Sequence, residues 1–222
     1  MKVCLAVLSL LALTACTGSS AGADAAQWRS DERPIGQTLV YECLGYEFIA
    51  RMGPGEMAVW LDDEYRVLSQ VRSASGVKYQ EGDIVFWSKG EDAMLMIGPD
   101  RYGDCALAPA RAPWEDARRR GVNFRASGNE PGWYLELKEG EQILFVGNYG
   151  GQRLLLPEPG VQWDDGVRLY QTRNDAHEII LEIRTQTCRD SMRGDEYPAT
   201  VSLLVDGRAL SGCGTDLVFP WE

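Results

Sequence analysis

The chain has 222 residues, six cysteines and a formal net charge of −11 at pH 7. This length allows one large or two small domains. The acidic excess argues against a nucleic-acid partner, whose phosphates would repel the chain, and favours basic partners.

The first fifteen residues have the pattern of a secretory signal. A charged start at Lys2 precedes an apolar run over residues 4–13, which is shorter than the ~20 residues that a spanning helix needs. The ending Leu13-Thr14-Ala15-Cys16 resembles a bacterial lipobox. That resemblance implies a signal peptide over residues 1–15, cleavage before Cys16, and lipid (palmitate) on its sulfur.

We therefore expect a lipoprotein of the bacterial cell envelope. Thr17 follows the lipidated cysteine, and the absence of Asp at that position favours the outer membrane, facing the periplasm, by analogy with enterobacterial sorting. Residues 16–37 are rich in Gly, Ser and Ala and lack periodicity, which is typical of a flexible tether.

Four cysteines remain after signal removal and lipidation, in an oxidising compartment, and they allow three disulfide pairings. Their spacing favours one bridge per domain, Cys43–Cys105 and Cys188–Cys213. No pair has close metal-ligand spacing, and His177 is the only histidine, so we predict no metal and no cofactor.

Short strand patterns separated by turn signals fill most of the remaining chain and predict an all-β fold. Residues 38–108 form a first domain of about eight such strands, which indicates a small antiparallel barrel or sandwich. Residues 109–121 form a connector, with a short helix expected from Pro113 to Gly121. Residues 122–222 are expected to form a second β-rich domain.

Within the first domain, the stretch from Arg72 to Gly90 predicts a β-hairpin with two functional groups near its ends. The Ser-Ala-Ser-Gly run favours a turn at Gly76 and carries the Ser75 hydroxyl, and Lys89 closes the second strand. A protruding loop with one hydroxyl and one cation suits entry into a cleft lined by carboxylates.

Several motifs in this domain resemble one family, the membrane-bound inhibitors of c-type lysozyme (MliC). The resemblance covers residues 39–106 and rests on Tyr41–Cys43, Ser73–Tyr79, Phe86–Leu95 and the terminal Cys105. It implies an eight-stranded antiparallel barrel with one disulfide. It also implies inhibition of c-type lysozyme by a loop that places side chains in the active-site cleft of the enzyme.

The site residues that the resemblance implies are Ser75 and Lys89, which would enter the cleft. Their motif neighbours Gly76 and Gly90 belong to the same loops. Tyr79, together with Phe86 and Trp87, is expected to supply apolar anchors at the interface.

The second domain carries a weaker resemblance. Asn129–Leu137, the run CRDSMRGDEYP from Cys188, and DGxxLSGCG from Asp206 resemble an uncharacterised β-domain of bacterial envelope proteins. This resemblance implies a fold and no activity. An alternative function follows from it, in which the chain is a binding or structural lipoprotein whose second domain binds cell wall or an envelope protein.

A Ser–Lys catalytic dyad is another possible function of Ser75 and Lys89. It requires a desolvated, neutral lysine, whereas Lys89 follows a strand and is next to Glu91 and Asp92, which favour its charged form. The chain also has no S-x-x-K or G-x-S-x-G acyl-transfer signature. We therefore expect a protein that is not an enzyme.

Overall fold

The structure is a computed structural model that describes residues 36–62, 64–90 and 92–217. The predicted signal peptide, Cys16 and the tether up to residue 35 lie outside these residues. Over the described ranges nearly all regular structure is β, which confirms the predicted fold class. None of the helices in these ranges is long and apolar enough to cross a membrane.

The first sheet is an antiparallel meander in which each strand from β1 to β8 pairs with the next along the chain, and β9 pairs with β1. Its nine strands are β1 Thr38–Cys43, β2 Tyr46–Gly53, β3 Glu56–Leu61, β4 Glu64–Val71, β5 Val77–Glu81, β6 Ile84–Lys89, β7 Asp92–Ile97, β8 Asp100–Tyr102 and β9 Ala106–Leu107.

The two ends of this sheet meet because the chain returns to β1 after β8. The amide of Leu44 donates to the carbonyl of Gly103 at 3.2 Å, and the amide of Cys105 donates to Ala93 on β7 at 3.1 Å. The predicted Cys43–Cys105 disulfide is present at this junction. The predicted eight strands thus gain a ninth, β9, which pairs with β1 and curls the sheet onto itself.

Aromatic side chains fill the concave side of the first sheet. Tyr41 stacks on Phe48 with ring centroids 5.1 Å apart and contacts Phe86 at 5.0 Å. Met57 and Leu68 are fully buried in the same cluster. Alternate residues of each strand point into this core, as the period of a β-strand requires.

A single α-helix, α1 (Ala112–Arg119), follows the first sheet. Asp116 accepts hydrogen bonds from Thr38 at 3.1 Å and from Arg51 at 3.2 Å, and the Arg119 guanidinium lies over the Trp60 ring. Arg120, just after the helix, forms a two-bond ion pair with Glu136 of the second sheet at 2.8 Å. The connector is therefore fastened to both sheets.

The second sheet also has nine strands, with the order β13-β12-β11-β10-β20-β19-β16-β15-β14. Its strands are β10 Phe124–Asn129, β11 Gly132–Lys138, β12 Gln142–Gly147, β13 Gln152–Pro157, β14 Gln162–Asp164, β15 Val167–Arg173, β16 Glu178–Arg184, β19 Ala199–Val205 and β20 Arg208–Asp216. A separate small hairpin pairs β17 Cys188–Arg189 with β18 Glu196–Tyr197.

The core of the second sheet is built from inward-facing residues of both its halves. Phe124, Leu135, Ile143, Leu181 and Val201 are among the residues that are completely or almost completely buried. The second predicted disulfide, Cys188–Cys213, fastens the small hairpin to β20. Both cysteine pairings predicted from spacing are therefore present in the structure.

Candidate functional site

The predicted hairpin is formed by β5 and β6, which are joined by a tight turn at Gly82-Asp83. Its register pairs Val77 with Ser88 and Glu81 with Ile84. Because Ser75 precedes β5 and Lys89 ends β6, this register brings both residues to the same end of the hairpin. We call residues 73–76 and 87–90 together the Ser–Lys corner.

Gly76 makes the close approach within the corner possible. Its φ is +69°, and a Cβ atom at this position would lie 2.1 Å from the carbonyl oxygen of Ser88 and 3.0 Å from Cβ of Lys89. Only glycine combines this φ with the lack of a side chain. The main chain beside Ser75 therefore rests directly against the strand that carries Lys89.

Two hydrogen bonds fix the loop that carries Ser75. The Trp87 indole Nε1 donates to the carbonyl of Ser75 at 2.9 Å, and the Ser73 hydroxyl donates to the carbonyl of Gly76 at 2.9 Å. Neither positioning role was predicted from the sequence. Ser73 alone carried a signal, since serine near a glycine often bonds the local backbone of a turn.

The two functional groups of the corner are both exposed and available. No hydrogen bond or ion pair joins the Ser75 hydroxyl or the Lys89 ammonium to another described residue. Gly90 follows Lys89 with a φ of +63° and turns the chain away. The corner thus presents a hydroxyl and a cation to solvent on a backbone held by hydrogen bonds.

The aromatic residues predicted as anchors divide between the core and the surface. Tyr79 is 5% exposed and Phe86 is 1% exposed, and both belong to the core of the first sheet. Burial raises the pKa of the Tyr79 hydroxyl. Trp87 alone of the three is partly exposed, and it lies beside Ser75.

Replacing Gly76 by alanine should distort the Ser–Lys corner and leave the rest of the sheet folded. The new Cβ would overlap the Ser88 carbonyl, so the loop that carries Ser75 must move away from Lys89. Amide hydrogen exchange should become faster for residues 73–77 and 87–89. The matched control is Gly45→Ala, since Gly45 also has a positive φ (+79°) but nothing within 4 Å. Equal exchange rates in the two variants would contradict the close-approach argument.

The three motifs of the second domain also come together. Asn129 Nδ2 donates to Asp190 Oδ2 at 2.9 Å and to the Ser191 hydroxyl at 3.1 Å. The other oxygen of Asp190 accepts the amides of Met192 and Arg193, and these hydrogen bonds lower the pKa of that carboxyl group. Asp190 therefore organises the charged loop of residues 190–196.

Paired charges characterise this loop. Arg193 pairs with Asp195 at 2.8 Å, and Arg189 pairs with Glu196. Within the described ranges no group of three or more His, Cys, Asp or Glu side chains is arranged to hold a metal ion.

The part of the chain that contains the Ser–Lys corner is similar to known proteins. A family model described as "Membrane-bound lysozyme-inhibitor of c-type lysozyme" matches residues 41–101, a range that includes the whole corner. A protein of Yersinia enterocolitica named "Membrane-bound lysozyme inhibitor of C-type lysozyme" is 35% identical over 65 residues, which make up 28% of this chain and 56% of that protein.

The chain thus spans about half the length of the curated relative that it matches. No solved structure gives a significant match to the chain. The family model ends before the second sheet, whose resemblance to an envelope β-domain stays a prediction. For the first sheet the resemblance read from the motifs is confirmed: residues 41–101 are similar to the membrane-bound inhibitors of c-type lysozyme.

Proposed function

We propose that this protein inhibits c-type lysozyme by inserting the Ser–Lys corner into the active-site cleft of the enzyme. The observation that carries the proposal is the meeting of Ser75 and Lys89 at one exposed end of a hairpin, inside the range that matches the inhibitor family.

The chemistry of the two groups suits that cleft. A c-type lysozyme cleaves its substrate with a protonated glutamic acid and an ionised aspartate in one groove. The Lys89 ammonium can satisfy the ionised carboxylate with a charge-assisted hydrogen bond, and the Ser75 hydroxyl can donate to or accept from either acid. The net charge of −11 would also steer the chain towards a basic enzyme.

The surroundings of the corner support binding in preference to catalysis. A Ser–Lys dyad needs a lysine that burial keeps neutral, and an oxyanion site beside the serine. Lys89 is exposed at the end of β6, and it makes no hydrogen bond with Ser75. We therefore propose a protein that binds an enzyme and is not one itself.

An assay of lysozyme activity with purified residues 17–222 tests this proposal. Hydrolysis of cell-wall substrate by a c-type lysozyme should fall with increasing protein and reach full inhibition at saturation. An added excess of soluble substrate oligosaccharide should compete with the inhibitor, because both occupy the cleft. Undiminished hydrolysis at saturating protein would refute the proposed function.

We also propose that the protein is anchored to the envelope by lipid on Cys16. The family match and the relative's name support a membrane-bound location, and the lipobox-like run ending at Cys16 provides the acylation site. Periplasmic placement would bring the inhibitor close to the cell wall that lysozyme attacks.

Replacing Cys16 by serine should abolish lipidation and leave the signal uncleaved by the lipoprotein peptidase, because the sulfur is the acceptor atom. Growth with labelled fatty acid, followed by gel analysis, would show the loss of label. Cys4→Ser is the control, since Cys4 lies inside the signal and should be dispensable. A labelled Cys16→Ser protein would contradict the anchor.

A further inference from the structure

Three hairpin turns of the second sheet meet at one end of that sheet and enclose a cavity of about 180 Å³. The turns are β10–β11 at Pro131, β12–β13 at residues 147–152, and β19–β20 at residues 205–208. They come from distant parts of the sequence, so the cavity is a product of the fold. The mouths of curled sheets are common places for small-ligand sites.

The floor of this cavity is apolar. Trp133, Phe145, Val205 and Leu210 line it, and each is at most 9% exposed. Such a floor accepts a small apolar group from a ligand and offers no partner for a buried polar atom.

Three polar side chains on the rim have no partner within the described ranges. Asn148, Gln152 and Arg208 line the cavity, and no hydrogen bond or ion pair joins their side chains to another described residue. The adjacent Asp206 differs, since its carboxylate accepts the amide of Glu178 at 2.9 Å and lies 2.8 Å from Nδ1 of His177. The free charge on the rim is therefore the cation of Arg208.

The turn on the β12–β13 side has an unusual backbone. Asn148 and Tyr149 are consecutive non-glycine residues with φ values of +50° and +53°. Tyr149 is 82% exposed, and its ring lies over Gly132, where an added Cβ would be 2.7 Å from the ring. Such backbone strain gathers at ligand-binding positions, and here it occurs at Asn148, which lines the cavity.

We infer that this cavity binds a carboxylate joined to a small apolar group, as at a lactyl or an alanyl end. The apolar group would rest on the floor, and Arg208 would bind the carboxylate. The side-chain amides of Asn148 and Gln152 would form hydrogen bonds with the polar atoms of the ligand next to the carboxylate. Arginine suits this role because its planar guanidinium matches a carboxylate with two parallel hydrogen bonds. The inference is independent of lysozyme inhibition, which involves the first sheet.

The test uses amide chemical-shift titration of the whole lipid-free chain with four probes. N-acetylmuramic acid carries a lactyl carboxylate and N-acetylalanine carries an alanyl one, and their neutral counterparts are the lactyl amide of N-acetylmuramic acid and N-acetylalanine amide. At least one carboxylate probe should shift Gly132, Gly147 and Asn148 saturably in the millimolar range, and its neutral counterpart should bind at least about tenfold more weakly. The probe that binds identifies whether the source is a sugar acid or a peptide end.

Two variants and one control complete the test. Arg208→Gln should weaken binding of the carboxylate probe to the level of the neutral one, and Asn148→Gly should weaken it while preserving the positive φ. Arg153→Gln is the control, because Arg153 is exposed on the outer face of β13 and has no partner among the described residues. Absence of saturable shifts, equal binding of neutral and charged probes, or unchanged binding by Arg208→Gln would each overturn the inference.

Discussion

Replacing Lys89 by alanine should weaken inhibition of a c-type lysozyme by roughly thirty- to a thousand-fold, or ~2–4 kcal/mol. The loss is large because the ammonium would face a partly desolvated carboxylate in the cleft, which the variant leaves without a partner. The melting temperature should barely change, since Lys89 is exposed and no hydrogen bond or ion pair joins it to another described residue.

Ser75→Ala should cost less, ~1–2 kcal/mol, because it removes a single hydrogen bond. Two controls separate charge from position. Lys78→Ala removes a nearby cation on β5, and Arg153→Ala removes a cation from the second sheet. Inhibition constants of the four variants, measured against one lysozyme, show whether the position of the charge matters. If Lys89→Ala inhibits no worse than Arg153→Ala, the Ser–Lys corner is not the inhibitory element.

Much of the first sheet could be predicted because its sequence obeys local rules. The period-two pattern of β3 alternates half-buried and buried residues, and glycines mark the turns where φ must be positive. Runs of apolar and β-branched residues likewise mark the strands β1, β12, β16 and β19 in the sequence. The cysteine pairings followed from their spacing once a domain boundary was placed near the connector.

Other features depend on contacts that no local pattern records. The strand β10 is not apparent from the sequence, because Ala126, Ser127 and Gly128 carry little apolar signal, yet it is central to the second sheet. Gly128 belongs there because a Cβ would lie 2.3 Å from the Trp133 indole nitrogen. Such a requirement is visible only when both strands are in place.

Whether an aromatic side chain is buried or exposed is a second feature that local sequence patterns do not show. Tyr79 and Trp87 both follow a strand pattern, and both were expected at the interface. The register pairs Tyr79 with Phe86 and Lys78 with Trp87, so Tyr79 faces the core and Trp87 faces outward. The face that becomes the inside is decided by how the whole meander curls.

Removing the Cys43–Cys105 bridge should destabilise the first sheet strongly. Its cysteines are 62 residues apart in sequence, and loop-closure arguments give about 3–5 kcal/mol for a loop of that size. The bridge joins the start of the meander to the segment that follows its last long strands. Without the bridge the unfolded chain gains conformational entropy, because residues 43 and 105 are no longer joined.

The double variant Cys43→Ala, Cys105→Ala should therefore melt ~6–20 °C lower than the unmodified protein, given a shift of about 2–4 °C per kcal/mol for a chain of this size. The corresponding change at Cys188 and Cys213, which are 25 residues apart, should cost less because the closed loop is shorter. Calorimetry of both variants measures the difference.

Measuring lysozyme inhibition by the same two variants distinguishes an effect on stability from an effect on function. The β5–β6 pairing and the two hydrogen bonds that fix the Ser75 loop involve neither cysteine. Below the melting transition, the Cys43→Ala, Cys105→Ala protein should therefore inhibit lysozyme as well as the unmodified one. An unchanged melting temperature would refute the role of the bridge, whereas lost inhibition by a fully folded variant would mean that the Ser–Lys corner depends on the closure of the sheet.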